Sequence, residues 1–451
     1  MWVRVPCITR RYHGFSAIVT ESVMRRIPLC ASLFALCALF PPSFAGPGIA
    51  LEATTLEQAR NGVSRLGFLK KLNAATAEAA ATASVNERGD LRTAEGANLL
   101  EMMGILQSFV GDTDGAMATF DLRESKRRPR LPAISDAALE GLVAEEAIQA
   151  IVEQARSRRV VLINEAHHVP LHRAFTMKLA RELRKIGYEY FAAETLIRDG
   201  VGAPGSEVTQ RDGALIHEPN YAELLRDVGR DGWKVVAYEW LAAPEDAVSG
   251  LQRLQLRETA QARNLVEKVL KPHPSAKLLV HVGYFHLDKR PAGNSAGLKL
   301  MGAMLRELGA TEPLAVDQST LYSHPHPAME PGSYRQLINA KAIRIASVLR
   351  KADGTAFMLG TPQSAIDLQI IHPPYGNVDG RPAWLMSVAG RQPADIPPAL
   401  VPTEAPRVVY AFRADDRSLE AIPVDAVLLR PGQEPARLML PPGRYRLQVE
   451  D

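Results

Sequence analysis

Short apolar runs alternate with longer amphipathic segments along the middle of the chain. Runs of this length predict buried strands, and apolar positions three or four apart predict helices between them. The expected strands cover 159–164, 188–193, 234–238, 277–283 and 313–317, with later ones at 357–359 and 366–370. The expected helices cover 137–157, 170–186, 220–229, 244–270 and 295–308. This order predicts an α/β fold, with a largely parallel sheet and helices on both faces.

The two flanks of this domain have different patterns. Apolar spacing predicts N-terminal helices at 51–82, 98–110 and 114–127. Prolines and short alternating runs predict C-terminal strands at 407–412, 424–429, 435–440 and 444–449. The expected division is therefore a helical region with a basic linker (46–132), the α/β domain (133–392), and a Pro-rich linker with a small β-sandwich-like domain (393–451).

The first 45 residues have the layout of an export signal. Two arginines at 25–26 precede the apolar run 27–40, and a small-x-small cleavage site follows at 43–45. We expect translation to begin at Met24 and cleavage to follow Ala45. This predicts a periplasmic or secreted protein with no stable transmembrane span after cleavage, and the alternative is an uncleaved N-terminal anchor.

Composition narrows the classes of chemistry. The three cysteines, Cys7, Cys30 and Cys37, all lie in the expected leader, so disulfides, thiolate metal sites and cysteine nucleophiles are excluded from the expected mature chain. The net charge of +3 also comes from the leader. Residues 1–45 hold five Arg and one Glu, which leaves 48 basic and 49 acidic residues. We therefore expect no nucleic-acid partner.

Carboxylates and a histidine follow the expected strands at the point where each strand ends. Glu165, Glu194 and Glu239 close three of them, and His286 follows a fourth. Ligands of α/β folds bind at the carboxyl ends of parallel strands, so these side chains are expected to form one site. Neighbouring carboxylates repel, so one should have a raised pKa unless a cation intervenes. Arg257, on the long helix, is the candidate for that cation.

Three more histidines lie where the first strand passes into a helix. His167, His168 and His172 are candidates for chemistry there, although no His-Glu-x-x-His motif is present. His281 lies inside a strand and is expected to pack in the core, whereas His372 is expected at the surface. The sequence also has no Gly-x-Ser-x-Gly elbow, Walker A sequence or Gly-x-Gly-x-x-Gly, so an ordinary serine hydrolase or a nucleotide-binding protein is not expected.

Four segments in a fixed order resemble motifs of one superfamily. They are Asn164-Glu165-Ala166-His167-His168, Ala193-Glu194, Arg257-Glu258-Thr259-Ala260-Gln261-Ala262-Arg263-Asn264 and Val282-Gly283-Tyr284-Phe285-His286. They resemble the superfamily that joins the erythromycin esterase-like proteins, the ChaN haem-binding lipoproteins and the TIKI/TraB-type proteins. The resemblance covers about residues 150–320. The chain departs from the esterase-like pattern at Asn164, Val169 and Gln261.

The resemblance implies roles for individual residues. In the esterase-like branch Glu165 and His168 would activate water, and Glu194 and His286 would complete the catalytic site. His167 would take the place of His168 if the shorter ChaN form applies. The candidate cofactor-binding residues are His167, His172 and Tyr284. The candidate supporting or substrate-binding residues are Arg257, Glu258 and Asn264. The candidate ligands for a divalent metal are Glu165, Glu194, Glu239 and His286.

Three functions are compatible with these features. The first hypothesis is an exported hydrolase, with or without a divalent metal, that acts on an ester, lactone or amide. The second is a haem- or iron-binding uptake protein of the ChaN type. The third is a catalytically degenerate scaffold of the cell envelope. The expected partner is a small-molecule substrate or haem, and the oligomeric state is left open.

Overall fold

The computed structural model describes residues 48–62, 65–85, 94–124, 133–241, 250–294, 296–309 and 311–451. The predicted leader with its cleavage site, the linker at 126–132 and the start of the long helix at 244–249 lie outside the described residues. Within the described ranges, no helix combines the length and apolar character that a membrane crossing requires.

The central domain alternates strands and helices as the apolar pattern predicts. The strands from the N-terminus to the end of this domain are β1 (Ile49–Leu51), β2 (Val143–Glu146), β3 (Val160–Glu165), β4 (Tyr190–Ala193), β5 (Lys234–Ala237), β6 (Leu278–Gly283), β7 (Leu314–Leu321), β8 (Ser347–Arg350), β9 (Ala356–Phe357), β10 (Leu368–Ile371), β11 (Asn377–Val378) and β12 (Arg381–Pro382). The C-terminal strands are β13 (Gln392–Ala394), β14 (Arg407–Arg413), β15 (Asp425–Leu429), β16 (Leu438–Leu440) and β17 (Gly443–Glu450).

The helices fall into an N-terminal group and a group that covers the sheet. The first group is α1 (Leu56–Arg60), α2 (Phe68–Val85), α3 (Ala94–Phe109) and α4 (Thr113–Glu124). The second is α5 (Asp136–Glu140), α6 (Ala147–Ala155), α7 (Pro170–Lys185), α8 (Pro219–Arg230), α9 (Gly250–Leu265), α10 (Met301–Gly309), α11 (Gly332–Ala340) and α12 (Trp384–Ser387). A π-helical turn, Val266–Leu270, extends α9.

The large sheet has the strand order β2-β8-β10-β7-β3-β6-β4-β5, with β9 beside β8. The six strands from β10 to β5 are parallel, and β8 and β2 continue the sheet in antiparallel pairing. Every residue of β3 and β6 is buried, as expected for the largely apolar central strands of a parallel sheet. The predicted α/β fold is therefore confirmed.

Two neighbouring strands send their chain connections to opposite faces of the sheet. β3 leads through α7 to β4, and α7 packs in the apolar core on one face. β6 leads through α10 to β7, and α10 packs in the core on the other face. Because β3 and β6 are adjacent, a crevice opens between them at their carboxyl ends, where doubly wound sheets bind ligands.

The prediction of one helix over 137–157 is wrong. The segment instead forms α5, the strand β2 and α6, with β2 paired antiparallel to β8. Two side chains set the breaks: Ser135 accepts a hydrogen bond from the N–H of Ala138 and caps α5, and Glu146 accepts one from Gln149 at 2.7 Å and caps α6. An edge strand of four residues between two capped helices has too short a pattern to separate from a continuous helix.

The N-terminal helices and the C-terminal strands share one core. The C-terminal sheet has the order β1-β17-β14-β15, so its edge strand β1 comes from the N-terminal region, at the start of the helix that the sequence predicts over 51–82. Apolar residues of α2 and α3 pack against this sheet, and the ring of Phe68 meets those of Phe109 and Tyr410 in tilted and edge-on contacts. The predicted β-rich C-terminal region is present, and it is completed by residues from the other end of the chain.

Candidate active site

The candidate site lies in the crevice between β3 and β6. Glu165 is the last residue of β3 and pairs in register with Gly283, the last residue of β6. Glu194 follows β4, the next strand across, and Glu239 follows β5 two residues after that strand ends. The predicted convergence of strand ends therefore brings these carboxylates to one edge of the sheet, with β6 between Glu165 and Glu194.

Glu165 is fixed by an arginine that lies in the first turn of α7. Arg173 Nε donates to Oε2 of Glu165 at 2.6 Å, and Arg173 Nη2 donates to Oε1 at 2.7 Å. Arg173 Nη1 donates to Glu218, which caps α8, at 3.1 Å. Burial opposes the charge on Glu165, but Arg173 and His281 outweigh it and hold the pKa of this carboxyl well below its usual range. These contacts therefore favour the ionised form of Glu165.

Two imidazoles also contact Glu165. Nδ1 of His167 lies 2.8 Å from Oε1, and Nε2 of His281 lies 2.8 Å from Oε2. His281 is fully buried in β6, whereas the side chain of His167 is 15% exposed. A carboxylate on Nδ1 favours the tautomer that donates from Nδ1 and accepts at Nε2. His167 therefore has the geometry of an oriented base with access to solvent.

Gly283 lacks a side chain, and this leaves room for the side chains of His167 and Glu194 to approach each other. A Cβ atom at this position would lie 2.7 Å from both Nε2 of His167 and Oε2 of Glu194, and closer still to Cε1 of His167. The N–H of Gly283 donates to Oε2 of Glu194. The absence of a side chain thus lets the imidazole and the second carboxylate approach one another above the end of β6.

Arg257 is the cation that separates the remaining carboxylates. It donates to Oε1 of Glu194 at 2.6 Å and to both oxygens of Glu239 at 2.9 and 3.0 Å. Burial of Glu194 opposes its charge, but His286, His167 and Arg257 lower its pKa to about 2. Neither Glu165 nor Glu194 therefore has the raised pKa that uncompensated repulsion would give, because an arginine intervenes at each.

His286 lies between a buried carboxylate and Arg257. Its Nδ1 is 2.6 Å from Oε1 of Glu258, and its Nε2 is 3.2 Å from Nη1 of Arg257 and 3.6 Å from Oε1 of Glu194. Burial lowers the pKa of His286, but Glu194 and Glu258 outweigh burial and raise it. This side chain is 16% exposed and is suited to hold a proton at the crevice.

Two other residues of α9 hold the end of β5 in place. Gln261 donates to Oε1 of Glu239 at 3.0 Å. Asn264 donates to the carbonyls of Tyr238 and Glu239 at 3.0 and 3.3 Å. The predicted support residues Arg257, Glu258 and Asn264 thus contact the strand ends or the site, and Asn264 contacts backbone only.

His168 lies apart from Glu165. Its ring stacks on Phe120 with 3.7 Å between centroids and is 3% exposed, and the hydroxyls of Tyr284 and Tyr322 lie 3.5 Å from its two ring nitrogens. Between the two adjacent histidines, His167 is the one beside the carboxylate. The predicted pairing of Glu165 with His168 is therefore replaced by Glu165 with His167.

His172 and Tyr284 also have other partners. Nδ1 of His172 accepts the backbone N–H of Ala166 at 3.0 Å, and burial with neighbouring histidines lowers the pKa of His172 well below its usual value. Tyr284 packs edge-on against His167 at 4.9 Å between ring centroids, and its backbone has a φ of +41°. A left-handed backbone is rare for a residue this large, and here it turns the chain directly behind Gly283.

Arg173 and His281 are the residues that sequence reasoning missed. Arg173 sits on α7 among charged and apolar positions that share no distinctive motif, although its place in the first turn after the strand is a usable signal. His281 is buried in the core as predicted, and its contact with Glu165 is the part that the sequence does not show. His372 was expected at the surface and is fully buried, with Nε2 3.1 Å from Gln318 Oε1.

The carboxylates do not fit a divalent metal in this arrangement. Among the residues that the structure describes, no group of three or more His, Cys, Asp or Glu side chains is placed to hold one. Arg173 occupies both oxygens of Glu165, and Arg257 bridges Glu194 and Glu239. A metal would have to displace these guanidinium groups. Of the two histidines predicted to bind a cofactor, His172 is fully buried and accepts the N–H of Ala166, whereas His167 is 15% exposed beside Glu165.

Comparisons with known proteins do not assign this chain to a family. No protein-family model matches the chain, and no curated protein matches it. Similar solved structures include the type III effector HopBA1, at 11% identity and a TM-score of 0.27, over 42% of this chain and 88% of that one. A structure described as bacterial protein toxins has 16% identity and a TM-score of 0.29, over 50% of this chain and 46% of that one. The MARTX toxin effector domain RRSP of Vibrio vulnificus has 16% identity and a TM-score of 0.26, over 50% of this chain and 44% of that one. The match spans less than half the length of these two, and at such TM-scores the likeness supports no inference.

Proposed function

We propose that this chain is a hydrolase that activates water at His167 and acts on an ester, lactone or amide. The observation that carries the proposal is the 2.8 Å contact between Nδ1 of His167 and Glu165, a carboxylate that Arg173 immobilises and keeps ionised. A fixed carboxylate behind an imidazole orients the ring and stabilises the imidazolium that forms when the ring takes a proton. Glu165 is the orienting acid in this proposal.

The reaction divides between two histidines. Water attacks the carbonyl carbon as its proton passes to Nε2 of His167, and the leaving group takes a proton from His286 when the carbon–heteroatom bond breaks. The raised pKa of His286 supports its role as the acid, and the partial exposure of both rings supports access by substrate. Glu194 stays ionised between them and favours the protonated form of His286.

The experiment compares two adjacent histidines. Purified protein is assayed against a panel of nitrophenyl esters, lactones and anilides, with His167→Gln and Glu165→Gln as test variants and His168→Gln as the matched control. We expect His167→Gln to lower kcat/KM by about 10²- to 10⁴-fold, the usual contribution of a general base, and His168→Gln to change it little.

The other possible results of this assay each favour a different hypothesis. Full activity in His167→Gln would contradict the proposal, and selective loss in His168→Gln would restore the pairing that the resemblance implies. If no panel member is hydrolysed and the protein gives a haem absorbance band on reconstitution, the uptake hypothesis replaces this one. If the folded protein shows neither hydrolysis nor a haem band, the scaffold hypothesis is favoured.

We also propose that the hydrolase belongs to the superfamily that its motifs resemble and that it acts after export. The motif residues Glu165, Glu194, Arg257 and His286 all lie in the crevice, which supports the first statement. The arginine-flanked apolar run before residue 45 supports the second. Mass analysis of the mature N-terminus tests cleavage of the export signal: a chain that begins at Gly46 is expected, and one that still begins at or before Met24 would contradict cleavage and favour the uncleaved anchor.

A further inference from the structure

A second cavity lies at the same edge of the sheet, on the other side of β3. Its volume is about 300 Å³, at the small end of the range for ligand pockets. Val169 lies beyond the end of β3, Tyr322 directly follows β7, and Tyr375 follows β10 by four residues, so three parallel strands open into it. Met117 of α4 lines it as well. The cavity is therefore where parallel sheets receive ligands, and it is separate from the Glu165 site.

The walls of this cavity are largely aromatic. Tyr322, Tyr375 and Trp384 line it together with Leu171 and Met117. Trp384 is 5% exposed and Tyr322 is 4% exposed, so their ring faces are held by the fold. Rigid rings of this kind bind a planar apolar group, and their faces attract a cation.

A buried acid–imidazole pair forms part of the same wall. His324 lines the cavity, and its Nδ1 lies 2.8 Å from Oδ1 of Asp121. The two side chains are only 2% and 3% exposed, and the His324 ring stacks on Tyr322 at 4.4 Å between centroids. The hydrolase proposal uses neither residue. The pair places a carboxylate directly behind an aromatic wall.

The mouth of the cavity carries another acid. Asp114, in the first turn of α4, is exposed at the lining, and Asn377 donates to its Oδ2 at 3.4 Å across the opening. Among the described residues that line the cavity, there is no lysine or arginine. A ligand with a positive charge is therefore favoured over one with a negative charge.

We propose that this cavity binds a small aromatic amine, with its ring against Trp384 and Tyr375 and its ammonium group toward Asp114. The inference rests on the cavity alone and is independent of the proposed hydrolase activity. Aromatic walls with a carboxylate at the mouth form a complementary environment for an aryl ring that carries a cation. The Asp121–His324 pair adds a polar contact at the wall.

The test uses two probes that share a phenol ring and carry side chains of similar length, one ending in an ammonium group and the other in a carboxylate. Tyramine and 4-hydroxyphenylacetate are titrated into the full chain by calorimetry. We expect saturable one-to-one binding of tyramine and binding of the carboxylate that is weaker by about tenfold or more. Asp114→Asn should reduce that preference to less than about threefold, whereas Asp136→Asn, which changes an exposed first-turn acid of α5, should leave it unchanged.

A second pair of variants tests the place of binding. Met117→Trp fills the cavity and should abolish tyramine binding, and Met102→Trp, at a residue of α3 that is 43% exposed, is its control. If Met117→Trp fails to fold by circular dichroism, Asn377→Trp at the exposed mouth replaces it. Absence of saturable tyramine binding, equal binding of the two probes, or unchanged binding in the filled variant would each overturn the proposal.

Discussion

Arg173 and Glu165 form a bidentate ion pair in which neither side chain is more than 2% exposed. The two N–O distances are 2.6 and 2.7 Å, and Arg173 also donates to the carbonyl of His167 at 2.9 Å. One guanidinium group therefore fixes both the carboxylate and the backbone of the histidine that the carboxylate contacts. This geometry gives Glu165 an orienting role, because an acid held this firmly as an anion does not exchange protons near neutral pH.

Removal of Arg173 should destabilise the protein strongly. Arg173→Met leaves Glu165 and Glu218 buried with fewer partners, and loss of one member of a buried ion pair costs about 3–5 kcal/mol. Adding Glu165→Gln to this variant should restore part of the loss, because the uncompensated charge at that position is gone. Urea unfolding of both variants measures this, and equal free energies of unfolding for Arg173→Met and the wild type would contradict it.

Patterns along the chain predict the strands of the site well. β3 and β6 are fully buried, so most of their residues are apolar, with His281 as the polar exception inside β6. Polar residues mark where the strands end: Asn164 and Glu165 close β3, and Tyr284 with His286 follow β6. Because the carboxyl ends of parallel strands lie at one edge of the sheet, the acids that follow these strands are predicted to lie together. Edge strands such as β2, which is partly exposed, lack that signal and were assigned to a helix.

Partners within the site depend on tertiary register and were not predictable in the same way. Glu165 meets His281 because β3 and β6 pair in parallel with Ile163 opposite His281, and no local pattern fixes that register. His167 and His168 are adjacent in sequence, and long-range contacts separate their environments: His168 stacks on Phe120 from α4, whereas His167 contacts Glu165. Local sequence thus identified the chemistry-bearing residues, and long-range packing chose their partners.

A methyl group at Gly283 should impair activity more than stability. In Gly283→Ala the new Cβ would meet His167 and Oε2 of Glu194 at or below 2.7 Å, so His167 must move from its place beside Glu165. A displacement of this size can lower the rate by about 10²-fold. Gly332→Ala is the control, because nothing lies within 4 Å of its added Cβ. Steady-state kinetics of both variants decide this, and wild-type kcat/KM in Gly283→Ala would contradict it.

Acid should weaken the fold through Glu194. Its pKa of about 2 in the folded protein lies below the 4.5 of an unperturbed glutamate, so its contribution is present above about pH 4.5 and is lost as the pH falls toward 2. The shift corresponds to about 3 kcal/mol. Denaturant unfolding between pH 6 and 2 should show this loss, and Glu194→Gln should flatten the acid slope. A variant with the same slope as wild type would show that other groups cause the acid loss.

Protonation of His372 should also destabilise the fold, and this loss should begin at a higher pH than the loss through Glu194. Burial lowers its pKa to about 3, so the imidazole is neutral in the folded protein and donates from Nε2 to Gln318. An unfolded histidine takes up a proton near pH 6.5, so this contribution is present above that pH and is lost progressively toward pH 3. His372→Gln should reduce the slope of unfolding free energy between pH 6.5 and 4.5, where Glu194 contributes little. An unchanged slope would contradict the assignment.

The alkaline limit of activity should follow His286. Glu194 and Glu258 raise its pKa above 6.5, so the proton that the leaving group needs is present below the raised pKa and is lost as the pH rises through it. Glu258→Gln removes one of the two opposing charges but keeps an acceptor for the N–H of Met301, which donates to Glu258 at 2.7 Å. The alkaline limb of kcat/KM should therefore move down by about one pH unit. The control is Glu312→Gln, which changes a partly exposed acid of the same domain and should leave the limb in place. If the limb does not move in Glu258→Gln, a group other than His286 donates the proton.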